Sequence, residues 1–295
     1  KDADIQGGII NIITRQRQLG VKGTLYIKGS TPEDGYYYYS PIVNLYVGKE
    51  KWNIYGMYSY EQERQKQYSE TINDYLYNNT QHQEKNNYFS HANTHYYRLG
   101  VIYLLSQHHQ LGIELNGVVM RPKSDESKGN LSIQDANNIY KGISSSTYHS
   151  PSDFMNVAFS YNWNFDKQNS NLKLLVNWNH KKMSSDNQLD AIYPEYANAN
   201  VKEDNTNSSN ANNWSTTIDF TKKLKTGWSF VSGGRIIVST RNSDFYSWDR
   251  LNKLNDETHW KYKENIGAAY VGIAKSFSKH WYINLNVRGE YTDVN

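Results

Sequence analysis

Nine histidines and a scatter of adjacent carboxylates are the residues of this 295-residue chain whose types could do chemistry. His82, His91 and His95 lie in or beside one long polar stretch, and His108 and His109 are neighbours in a short turn. A metal centre needs three or four donors converging at about 2.0–2.1 Å, and these spacings fit no ligand pattern. The acidic pairs Glu33-Asp34, Asp125-Glu126, Glu203-Asp204 and Asp256-Glu257 each lie in or beside a predicted turn or loop. General acid–base work needs facing carboxylates whose environments separate their pKa values. Adjacent loop residues do not supply that. No serine elbow, phosphate loop or dinucleotide fingerprint is present. Gly7-Gly8 and Gly233-Gly234 read as tight packing or strand bends. The chain has no cysteine, which removes disulfides, thiolate metal sites and cysteine nucleophiles. No catalytic, metal or cofactor-binding residue is assigned, and the expectation is a protein that is not an enzyme.

The remaining question is what such a chain is built to position. Lys and Arg total 32 against 29 Asp and Glu, a net charge of +3, which argues against a nucleic-acid binder. Mean hydropathy is −0.84, and no apolar run approaches the ~18 residues a membrane helix requires. Yet there are 26 Tyr and 8 Trp against only 8 Phe. Rings with an apolar body and a polar tip suit interfaces. The aromatic girdles of a membrane β-barrel use many of them, as would a Tyr-rich soluble β-protein.

Periodicity favours the barrel. Met155, Val157, Phe159, Tyr161, Trp163 and Phe165 alternate with Asn156, Ala158, Ser160, Asn162 and Asn164. Leu172, Leu174, Val176 and Trp178 alternate with Lys173, Leu175, Asn177 and Asn179, and the design recurs at 111–120 and 283–291. This is the strand signature. The predicted strands run to about 10–13 residues, longer than most globular strands and long enough to cross a bilayer at a tilt. Short turns are expected at 48–51, 106–109, 166–170, 223–227 and 276–280. Long polar loops are expected at 62–93, 121–152, 184–212 and 242–262. The short turns recur roughly every 53–60 residues. Short turns at one end and long loops at the other describe an outer-membrane barrel with its turns in the periplasm. The fold expected is therefore all-β, an antiparallel transmembrane β-barrel of about eleven long strands. Bacterial single-chain barrels use even numbers, and the chain begins at Lys1 without an initiator Met or signal peptide. It reads as part of something longer, about half of a barrel.

The stretch Gln6-Gly7-Gly8-Ile9-Ile10-Asn11-Ile12-Ile13-Thr14-Arg15 resembles the strand G-x-I-N-I-I-T-K/R that closes the plug of TonB-dependent outer-membrane receptors. It departs from the starch-utilisation type, whose plug ends in a V-I-L-I-T-T-K-like strand. Gly48 through Gly56, with Tyr58-Ser59-Tyr60, is similar to the outer membrane protein β-barrel family common among Bacteroidetes-type receptors. So is the run from Glu264-Asn265 through Ala269-Tyr270, Lys275 and Trp281 to Val287-Arg288-Gly289-Glu290-Tyr291-Thr292. The resemblance covers the whole chain in layout and these three stretches in motif. It implies residues 1–20 as the end of a plug domain and its connector, and 21–295 as the first part of a barrel. It implies an outer-membrane location, lipid as one partner, the TonB complex as another, and import of a ligand such as a siderophore, glycan or peptide. A passive pore or adhesin barrel is the alternative. A soluble β-protein would instead bury Trp163, Trp178 and Trp281.

Two groups of side chains are candidates for contact. Arg98, Glu114, Lys173, Asp219, Arg235, Arg288 and Glu290 fall on the polar phase of the alternation, with Asn116, Asn156, Asn162 and Asn177. In a barrel that phase faces the lumen, towards a plug or a substrate path. Tyr75, Tyr77, Tyr88, Tyr140, Tyr148, Tyr193, Tyr196, Tyr246, Trp248 and Trp260 lie in the long polar segments. Tyr among Asn and Ser offers amphipathic area with adaptable hydrogen bonding, either for an extracellular ligand or for packing the loops together.

Overall fold

The computed structural model describes residues 19–31, 36–77, 79–166, 170–277 and 281–295. The stretch Gly7 to Arg15 lies outside them. Thirteen strands form one antiparallel sheet: β1 (Gly20–Ser30), β2 (Tyr37–Gly48), β3 (Trp52–Tyr75), β4 (Thr80–Leu104), β5 (His109–Pro122), β6 (Asp125–Gln134), β7 (Ile139–His149), β8 (Ser152–Asn164), β9 (Asn171–Ile192), β10 (Val201–Lys223), β11 (Trp228–Asp249), β12 (Leu254–Ser276) and β13 (Tyr282–Val294). The order β1-β2-β3-β4-β5-β8-β9-β10-β11-β12-β13 places eleven strands side by side. β6 and β7 are the addition to that count.

The four long polar segments are strand rather than loop. β3 and β4 run for 24 and 25 residues and stay paired from Trp52↔Tyr103 to Tyr75↔Thr80. β9, β10, β11 and β12 run for 22 to 23 residues. These lengths exceed the 9–11 residues a membrane strand needs, so each hairpin continues well past the bilayer as a wall. The apolar alternation ends where lipid ends, which is why these stretches read as loops. A ladder begun in the membrane continues without it, because each added pair joins an edge that is already held.

β6 and β7 take over the places of β5 and β8 above the membrane. β4 pairs with β5 from Ala92 to Leu104 and with β6 from Gln81 to Phe89. β9 pairs with β8 up to Met183 and with β7 from Asp186 onward. Each wall strand is broken near a proline, Pro122 and Pro151, a residue without the N–H a ladder needs. The two breaks differ. Between Phe89↔Glu126 and Ala92↔Pro122, β4 has two residues where the other strand has three, the signature of a β-bulge. The β7–β8 break keeps its register on β9. One extra residue sends successive side chains to the opposite faces. Leu131 and Ile133 therefore point to the face that Glu114 and Asn116 use below, while Leu111, Ile113 and Leu115 point to the other.

The buried apolar cluster sits in this upper wall and not in the membrane-spanning part of the sheet. Leu131, Ile133 and Tyr193 form it, with Tyr140, Ala191 and Ala199 packed against them. Elsewhere the large apolar side chains are on the surface: Ile54, Leu99, Ile113, Ile236, Leu285 and Val287 are all exposed. Trp163 is 39% exposed and Trp281 74%, the reverse of what a soluble core would do with them.

Candidate functional site

Pairing continuity assigns every strand residue to one of two faces. On the apolar face, Val157, Trp178, Trp214 and Val238 lie in one cross-strand row, and Phe159, Val176, Thr216 and Ile236 in the next. From Met155 to Phe165 the chain rises about 33 Å along the strand. At a tilt near 40° that is about 25 Å of height, the thickness of a barrel's apolar band. Aromatic contacts mark both borders. The lower runs His109–Trp163–Phe165–Phe220–Phe230, at 5.3 to 6.3 Å between ring centroids. The upper includes Tyr58–His95–Tyr60 and Trp178–Trp214. This face meets lipid.

The opposite face collects the polar candidates. Arg98↔Asn116↔Asn156 forms one row, and Glu114↔Ala158↔Asn177 lies beside it. Asn162↔Lys173↔Asp219↔Gly233↔Tyr270↔Arg288 crosses six strands, from β8 to β13. Thr217↔Arg235↔Ala268↔Glu290 runs next to it. Arg98, Glu114, Lys173, Asp219, Arg235, Arg288 and Glu290 thus share one face, in two groups.

In the first group Glu114 is the hub. Its carboxylate accepts from the Tyr55 hydroxyl at 2.5 Å, the Arg98 guanidinium at 2.7 Å and the Asn116 amide at 3.1 Å. The guanidinium also lies over the Tyr55 ring, 5.3 Å from its centroid. In the second group Tyr270 donates to Asp219 at 2.6 Å and Arg288 to Glu290 at 2.6 Å. Asp219, Arg235, Tyr270 and Arg288 line a cleft of about 570 Å³. Its lining mixes cations, a carboxylate and a phenol, which suits a polar protein surface or a hydrated solute. Among the described residues no group of His, Asp and Glu is placed to hold a metal ion.

Tyr55 and Tyr270 are the residues the sequence reading left out of this face, because tyrosine was attributed to the girdles. The signal was the glycine opposite each. A Cβ on Gly100 would fall 2.2 Å from the Tyr55 ring, and one on Gly233 2.6 Å from that of Tyr270. Each ring lies across its partner strand because that strand has no side chain there.

The aromatic candidates of the upper wall separate. Tyr75, Tyr88, Tyr140, Tyr148 and Trp260 fall on the lumen phase of their strands, and Tyr246 and Trp248 on the outer phase. Tyr77, in the tip that joins β3 to β4, is 86% exposed. Tyr193, expected among the ligand contacts, is instead buried in the cluster with Leu131 and Ile133: burial takes up its ring and pushes its hydroxyl up. Tyr140 stacks on Tyr196 at 4.7 Å. Tyr88 donates to the buried Asp125 at 2.6 Å beside the bulge. Burial first, then this bond, pushes the Tyr88 hydroxyl above the usual tyrosine range. Arg250, at the β11 tip, pairs with Asp190 on β9 and, at 3.1 Å, with Asp204 on β10. The β9–β10 and β11–β12 tips are thus tied together by a residue that no motif marked.

Residues 163–295 match the model of the outer membrane protein beta-barrel family. No curated protein matches the chain. Among solved structures, the ferric yersiniabactin uptake receptor FyuA from Yersinia pestis is 12% identical, with a TM-score of 0.41, over 95% of this chain and 48% of that one. The ferric citrate transporter FecA in its unliganded form is 8% identical, with a TM-score of 0.30, over 91% of this chain and 43% of that one. The chain spans less than half the length of either. It is an outer-membrane β-barrel chain: the family match, the lipid-facing band and the two girdles agree.

Proposed function

We propose that this chain is the first part of the barrel of a TonB-dependent receptor, which imports a ligand such as a siderophore, glycan or peptide across the outer membrane. The observation that carries the reading is the ordered polar face: Arg98, Glu114 and Tyr55 in one group, Asp219, Tyr270, Arg288 and Glu290 in another. Paired charges held in rows suit a folded plug docked in the lumen. The stretch Gly7 to Arg15, directly before β1, resembles the strand with which such plugs end. The rim aromatics Tyr75, Tyr77, Tyr88, Tyr148 and Trp260 are the proposed first contacts for ligand.

Uptake of the cell's scarce nutrients by the intact protein tests this. In cells lacking TonB, accumulation of the ligand falls to background while binding at the cell surface persists. Equal accumulation with and without TonB would instead establish a passive pore.

A further inference from the structure

Directly above the upper girdle, the lipid-facing side of β9 to β12 carries an ordered polar strip. One row reads Lys182↔Asn210↔Asn242↔Lys261, and the row below it His180↔Asn212↔Thr240↔Lys263. The next outward row down is Trp178↔Trp214↔Val238↔Asn265, so the strip begins where the aromatic border ends. Lys182, Lys261 and Lys263 are exposed, and none of the three has an ion-pair partner among the described residues. Asp153 stands opposite Lys182 but is held by Arg121 at 2.6 Å. Asp244 and Glu257, above the strip, both take His259, at 2.8 and 3.0 Å. Asp186, two rows above Lys182 on β9, and Asp293, opposite Asn265, are the other nearby carboxylates on this face among the described residues. His180 is engaged with the Asn212 amide at 2.8 Å. Strands about 4.8 Å apart put Lys182 and Lys261 about 14 Å from each other.

We infer that this strip binds the phosphorylated headgroup of an outer-leaflet glycolipid. The strip continues a surface already in contact with lipid, at headgroup height. Its ammonium groups complement phosphate, and the amides of Asn210 and Asn242 and the hydroxyl of Thr240 suit sugar hydroxyls. A lysine above an indole border keeps its stem in the apolar layer and its charge among the headgroups. The inference rests on the outer-membrane location alone and is independent of energised import.

The test uses the intact protein, extracted in mild detergent and given diphosphoryl lipid A or its dephosphorylated form, with retention read by native mass spectrometry. Each surface lysine contributes roughly fivefold to binding of an anionic lipid. The wild type retains the phosphorylated lipid in preference, and Lys182→Gln/Lys261→Gln/Lys263→Gln retains about a hundredfold less of it. Lys181→Gln, one position away on the lumen phase, retains as much as wild type. Heat-modifiable migration reports folding, and if the triple variant does not fold, Lys182→Gln alone gives about a fivefold loss. Equal retention of both lipid forms by the wild type overturns the inference. So does an unchanged triple variant, or an equal loss in Lys181→Gln.

Discussion

The lower and upper halves of β9 to β12 share one backbone ladder and use opposite side-chain chemistry. In the lower half Leu174, Val176, Ile218 and Ile236 face lipid, and stability comes from a solvent that rejects open backbone groups. In the upper half the same strands read Asn, Ser and Thr, as in Asn205 to Asn210. There the order comes from neighbours: the Leu131–Ile133–Tyr193 cluster, the Tyr88–Asp125 bond and the Arg250 clamp. The difference shows that a strand's polarity reports its surroundings, whereas its pairing is inherited from the adjacent strand.

The largest effect should come from putting charge on the lipid side. Ile236→Arg should cost about 2–4 kcal/mol near the middle of the band, read from urea unfolding of the intact barrel in vesicles. Asn242→Arg, further along the same phase of β11, should change stability by less than about 0.5 kcal/mol. Equal costs would mean that the band boundary is misplaced.

A smaller and local effect is expected from Leu131→Ala. The substitution removes the centre of the cluster with Ile133 and Tyr193 while the bulge and its register stay. Hydrogen exchange in β6 and β7 should then report an opening free energy lower by about 2 kcal/mol, with the lower halves of β9 to β12 unchanged. Loss of protection in those lower halves as well would show that the two regions are not separable.

The smallest effect concerns the fully exposed pair at the top of β11 and β12. The hydrogen bond to Asp244, then the charge of Glu257, raises the pKa of His259, and His259 lowers that of Asp244. The His259 contribution is full below the ordinary histidine pKa and fades as pH rises through its raised value. The Asp244 contribution is present above the ordinary carboxylate pKa and fades as pH falls through its lowered value. Protection factors at this tip, with the intrinsic pH dependence of amide exchange divided out, should therefore be highest in mildly acidic solution, between those limits, and His259→Gln should flatten the profile. A flat wild-type profile would remove the pair from the rim's stabilising contacts.

Legibility followed the same division. The lipid-facing residues, the short turns at 48–51, 106–109 and 223–227 and the shared polar phase of Arg98, Glu114, Lys173, Asp219, Arg235, Arg288 and Glu290 could be read, because lipid on one side and a wet lumen on the other impose a strict period of two. Eleven strands side by side were legible for that reason. The upper wall was not, since both of its faces meet water and no alternation marks it. Which aromatics stay available was illegible too: Tyr193 and Tyr77 differ only in their neighbours.

By itself, then, the amino-acid sequence determined the class of fold, the direction of each membrane-facing side chain and the outer-membrane setting. These depend on local alternation and composition. Only the tertiary structure decided how far the walls rise, that one extra residue near Pro122 turns Leu131 and Ile133 inward, and that Tyr55 meets Glu114 across Gly100. Each of these is a matter of register between strands, and register is settled where two distant segments meet.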